Sequence, residues 1–342
     1  MDEAEPSRDD ETILAAETPQ ATAPECIPVS LKGFDTEEHA RAFGNLVADY
    51  TRALSRYIDL AALDGITIAF DYNQALLDID HGYETSRKLT PSEGIALGVA
   101  MTPAVMRAGV VKSHMLFHAG VLLPLEDENS EDYQQAIHTL AHECAHVEVT
   151  ERIDRAFPGT ILQKKYSDHR TALRWDVIRA CWDEYAVTRI CAQFGKQATE
   201  GYEETFIASL QQTRDRANEL IKAFRLHGNV GQIAAEVYGT YGELMKFASC
   251  HLGNMAGLGL TLDDLPRTKE AIAGHWFEPH FERLNEACQA LFEKYGKWND
   301  ATLFEAIGDL VEDVLADGGV FVSPMEDGQF YMNIPYRPET MP

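Results

Sequence analysis

The stretch His138-Thr139-Leu140-Ala141-His142-Glu143-Cys144-Ala145-His146-Val147 constrains this chain more than any other. It contains His-Glu-x-x-His, at His142, Glu143 and His146. On a helix, residues four apart lie one turn above each other on one face. Both imidazoles can then bind one ion, with Glu143 beside them to take a proton from water. The surrounding sequence supports a helix. Ser130 is the expected N-cap, with Glu131 and Asp132 in the first turn, where the helix dipole favours acids. Tyr133, Ile137, Leu140, Cys144 and Val147 recur at steps of three and four and predict a core-facing stripe. Pro158-Gly159 ends the run. His142 and His146 fall on the flank of that stripe, anchored by the core side and open toward a cleft. His138, one turn earlier, reads as either a support behind the ligand pair or a surface histidine, the second being the favoured reading.

Composition narrows the classes available. At 342 residues, 45% hydrophobic and 9% aromatic, the chain can bury a sizeable core. The formal net charge of -26 and a pI near 4.7 argue against nucleic acid as a partner, since phosphates would be repelled. The six cysteines are scattered without a C-x-x-C pair, the pattern of reduced, buried thiols in a cytoplasmic protein. Cys144 points away from the histidine face. No signal peptide and no membrane span are expected.

Along the chain, residues 1–30 read as a disordered acidic tail, 31–198 as a catalytic core and 199–342 as a mostly helical C-terminal region ending in a β-hairpin. A helix is expected over Asp35–Leu63, broken at Asp64-Gly65, then a strand through Ile66, Ile68 and Phe70 and a short helix near Gln74–Leu77. Ile95–Val105 and Val110–Leu123 read as strands joined through Arg107-Ala108-Gly109, with Pro103 marking an edge or a bulge. His114 and His118 share one face of the second strand, as exposed or hydrogen-bonded side chains. Ser167 or Asp168 caps a helix over His169–Phe194, with Gly195 just past its end. Two helices over Glu200–Gly253 split at Gly228-Asn229. Two more cover Phe281–Tyr295 and Asp300–Leu315, and Asp327-Gly328 signals a hairpin turn.

Two histidines do not complete a catalytic zinc site, which usually takes three protein ligands and keeps a position for water. Glu148, Glu151 and Asp154 lie on other faces or too far along the motif helix. Glu184, mid-helix in Trp182-Asp183-Glu184-Tyr185-Ala186, is the better third ligand, with Asp183 as fallback. Tyr238, Tyr241, His251 and His169 are the options for a donor to the oxyanion, each with packing as its commoner role.

Helix, three strands, His-Glu-x-x-His helix, then glutamate-bearing helix resembles the minimal core of gluzincin metallopeptidases, in the order of the ImmA/IrrE family. The resemblance spans about Asp35 to Gly195. It implies an α+β fold with a zincin-like core, a small mixed sheet packed on the motif helix. It also implies one Zn2+ held by His142, His146 and Glu184, with Glu143 as general base in peptide-bond hydrolysis. The expected partner is a protein or peptide substrate, added as a strand to an edge assigned here to Val110–Leu123. Thr188 stands where such families often carry Asp or Asn. A zinc-binding regulatory protein with this fold but no turnover is the alternative.

Overall fold

The computed structural model describes residues 19–85, 89–90, 98–166, 168–195, 198–326 and 329–342. Residues 1–18 of the expected tail, the strand start at Ile95, Ser167 as a cap and the Asp327-Gly328 turn lie outside the described residues.

The first half is a small mixed sheet with helices on it. Strand β1 (Val29–Lys32) is followed by helix α1 (Glu37–Leu54), β2 (Leu63–Ala69), α2 (Tyr72–Leu77), β3 (Ala100–Met101), β4 (Ala104–Arg107) and β5 (Val110–His118). β1, β2 and β5 run parallel, while β3 and β4 pair antiparallel with β5. The order is β1-β2-β5-β3, so β5 is interior and the expected edge at Val110–Leu123 is corrected. Among the described residues the edge beside it is the β3–β4 segment, although the Met106 N–H of β4 is already given to the His81 carbonyl. The segment's break at Thr102-Pro103 explains why: proline lacks the N–H an interior ladder needs. β5 carries the buried Met115, Leu116 and Phe117. Ala108 (φ 50°) and Gly109 (φ 82°) make the two-residue turn between β4 and β5, both in the left-handed conformation such turns demand.

Other boundaries shift for local reasons. α1 starts after Thr36, whose side chain accepts from the His39 N–H, and stops at Leu54, short of the expected Leu63. Asp64-Gly65 sits inside β2 as a bulge, where Asp64 takes bonds from Arg107 and His114. His118 ends β5 by capping a short helix, α3 (Ala119–Leu122), through a bond accepted from the Gly120 N–H. The acidic tail stops short of residue 30. Thr22 donates to the Ser55 carbonyl, Ile27 is buried, and β1 begins at Val29.

The motif helix is α4 (Tyr133–Ala156), which begins after Asp132, so Ser130 and Glu131 precede it rather than cap it. It lies against β5, the edge strand β3 and helix α5 (His169–Cys191), which Asp168 caps by accepting from the Thr171 N–H. The second half is helical: α6 (Thr199–His227), α7 (Val230–Leu258), α8 (Pro266–Ile272), α9 (Glu278–Glu293) and α10 (Glu305–Asp317) precede the hairpin β6 (Phe321–Pro324) and β7 (Phe330–Asn333). Gly228 and Asn229 separate α6 from α7 as expected, Gly228 at φ 68° and Asn229 accepting from the Gln232 N–H. α8 was not legible in the sequence. No helix among the described residues is long and apolar enough to cross a membrane.

One buried cluster runs from Ile27 to Ile334 and takes in α1, the sheet, α4, α5, α7, α9 and α10. A smaller one, under α2, covers the opposite face of the sheet. The α5–α7 contact fixes the site, and it is close because α7 is glycine-lined there. A Cβ at Gly253 would lie 2.2 Å from the Tyr185 carbonyl oxygen, and one at Gly257 2.4 Å from that of Arg189. Residues 242, 253 and 257 share one face of α7 by helical periodicity. That face lets the backbone of α5, and with it Glu184, come in against α7.

Candidate metal centre

α4 and α5 bring the sequence-derived ligands together. His142 Nε2 and His146 Nε2 lie 3.2 Å apart, and Glu184 Oε2 lies 3.8 Å from His142 Nε2. One donor atom from each of the three falls within 4.8 Å of the others. Two nitrogens on one tetrahedral zinc, at Zn–N of about 2.0–2.1 Å, stand about 3.3 Å apart, so the separation suits a shared ion. Asp183, the fallback ligand, does something else: its Oδ2 sits 2.9 Å from His146 Nδ1, behind the ring.

The protons on the rings follow from their partners. His138 Nδ1 lies 3.1 Å from the Phe194 carbonyl, which can only accept, so Nδ1 carries the proton. Burial lowers the His138 pKa to about 4, so the ring is neutral and Nε2 accepts. The donor is the Tyr202 hydroxyl, 3.1 Å away. The Tyr202 oxygen, its proton committed, then accepts from His142 Nδ1 at 3.3 Å. His142, also held near pKa 4 by burial, is left with a bare lone pair on Nε2, aimed at His146. At His146, burial pulls the pKa down, but the charge of Asp183 and the hydrogen bond to it outweigh this and raise it to about 10. Asp183 holds the proton on Nδ1, so both Nε2 atoms converge on one point where a single cation, proton or metal, fits between them. The donor set therefore fits zinc, which His142, His146 and Glu184 would hold, with Tyr202 and Asp183 orienting the two rings.

Glu143 stands next to this point. Its Oε2 accepts from Thr102 Oγ1 at 2.6 Å, from the break between β3 and β4, and burial raises its pKa. Glu184 is steadied from α7, where Cys250 Sγ donates to Oε2 at 3.5 Å. Thr188 does not reach that carboxylate; it donates to the Glu184 carbonyl at 2.7 Å.

Several expectations are corrected. His138 is 3% exposed, not a surface residue. Its burial depends on Gly195 (φ 68°), which passes so near α4 that a Cβ would lie 2.2 Å from the Gln134 carbonyl. Of the four oxyanion options, Tyr238 donates to Glu312, His251 bonds Thr268, His169 stacks near Phe330 and Tyr241 packs on Trp276. None borders the cleft. His114 bonds Asp64 and Thr67. A second grouping, His138, His142 and Cys191, meets at the other side of His142. Its nitrogens are already taken by Tyr202, and burial raises the Cys191 pKa, keeping the thiol protonated. The sequence reading missed Tyr202 and Cys250. The only trace of Tyr202 is a tyrosine early in a helix whose register no nearby motif sets.

Glu143, His142 and Glu184 open on a cleft of about 290 Å³ bordered by Gly98, Val99 and Ala100 along the sheet edge and by Lys246 and Phe247 of α7. Set against models of known protein families, curated proteins and solved structures, the chain matches none.

Proposed function

We propose that the chain is a zinc-dependent metallopeptidase of the zincin type, resembling the ImmA/IrrE peptidases in the order of its elements. The observation that carries this reading is the convergence of His142 Nε2, His146 Nε2 and the Glu184 carboxylate, with Glu143 beside them. Zinc held there supplies Lewis acidity, acidifying water and polarising a carbonyl. Glu143 takes the proton of the attacking water, on a carboxylate that Thr102 keeps in one orientation, and returns it to the departing amine. Tyr202 and Asp183 keep the rings turned inward. The substrate backbone adds to the edge from Ala100 to Ala104, which runs past Glu143 and stops short of Met106, whose N–H His81 already takes.

The test is zinc content together with hydrolysis of a fluorogenic peptide library by wild type and Glu143→Gln. The variant should keep one zinc and lose turnover by about 10²–10⁴-fold. Equal rates in the two proteins, or no cleavage by either, would contradict peptidase activity and leave a zinc-binding interaction protein.

A further inference from the structure

Two cavities lie along one face of α4, on either side of His146. The cleft described above is bordered by Gln135, Thr139, His142 and Glu143. The second, of about 460 Å³, is bordered farther along the same helix by Val149, Thr150, Ile153 and Phe157. His146 stands between the two sets. The sheet edge accompanies both, Gly98 to Ala100 beside the first and Thr102 to Ala104 beside the second. α5 does the same, with Glu184 at the first and Trp182 and Asp183 at the second. Two residues of the second cavity touch the centre itself: Thr102 bonds Glu143, and Asp183 bonds His146.

The walls of this second cavity are apolar, with Trp175, Trp182 and Phe304 facing Ile153 and Phe157, while the exposed Asp176 and Arg179 keep its rim polar. Apolar walls inside a polar rim suit one bulky apolar group, and the volume is in the range of ligand pockets. Resting on the peptidase reading, we propose that this cavity is a specificity subsite, receiving one large apolar side chain of a peptide laid along the edge from Ala100 to Ala104. The helix advances about 10 Å between His146 and Ile153, at about 1.5 Å per residue. An extended peptide advances about 3.3 Å per residue, so the side chain belongs about three positions from the cleaved bond.

The test uses zinc-loaded, full-length Glu143→Gln and fluorescein-labelled Gly/Ala octapeptides carrying a single Trp at successive positions, read by polarisation. At one position Trp should tighten binding at least about 10-fold over Ala. Thr150→Arg and Thr160→Arg, added separately on two different segments of the cavity wall, should bring that ratio to near one with zinc content and circular dichroism unchanged. Binding indifferent to Trp at every position, or a ratio that survives in either correctly folded variant, overturns the subsite. Cleavage of the same peptides by wild type separates the two claims. A variant-sensitive Trp preference without cleavage contradicts the peptidase reading and keeps the cavity. Cleavage of all octapeptides at one rate contradicts the cavity and keeps the peptidase.

Discussion

His142 can offer a lone pair toward His146 only while its other nitrogen carries a proton, and Tyr202 holds that proton in place. The relay runs from His142 to Tyr202 to His138 and ends at the Phe194 carbonyl, which accepts from His138 Nδ1. Tyr202→Phe should therefore weaken zinc binding by about 10–100-fold in a chelator competition, and Asp183→Asn should do the same from the His146 side. Unchanged affinity in both would remove the orienting role. The candidate ligands themselves were legible, because helical spacing alone sets His142 and His146 on one face and a returning helix supplies Glu184. Their supports were not. Tyr202 and Cys250 come from segments whose approach is set by packing, and the burial of His138 hinges on how closely Gly195 passes α4.

Among the elements, the α5–α7 pair decides where Glu184 stands. Gly253→Ala would drive a methyl into the Tyr185 carbonyl and the Thr188 hydroxyl, 2.2 and 2.3 Å away, so the helices must part. The expected cost is about 1–3 kcal/mol in denaturant unfolding, with zinc affinity falling as Cys250 withdraws from Glu184. Stability and affinity equal to wild type would contradict the close contact. Helix existence and order were readable from periodicity and from breakers such as Gly228-Asn229. Strand rank was not: nothing within Val110–His118 states that strands pair with it on both sides, and only the Pro103 break hinted at which segment is the edge.

Across the whole molecule one core joins sheet and helices, and its buried histidines tie stability to pH. His251 is fully buried, donates from Nε2 to Thr268 Oγ1 at 2.8 Å and, among the described residues, has no partner for Nδ1. Burial lowers its pKa from 6.5 to about 4. The unfolded chain binds a proton between those values that the folded one refuses. Stability from this group is complete above pH 6.5 and is lost as pH falls toward 4, by roughly 3 kcal/mol. Urea unfolding at pH 7 and pH 4.5 should show a smaller loss in His251→Gln than in wild type; an equal loss would assign the pH dependence elsewhere. At this scale the sequence misjudged the N-terminus. Composition marks residues 19–30 as tail, yet Thr22 and Ile27 find their partners on α1 and in the core, contacts that polarity alone does not announce. The central claim is a single cation between two imidazoles and a carboxylate. Elemental analysis of purified wild type and His146→Ala tests it most directly: the expected result is one zinc per chain in wild type and essentially none in the variant, and zinc absent from wild type, or equally retained by both, contradicts it.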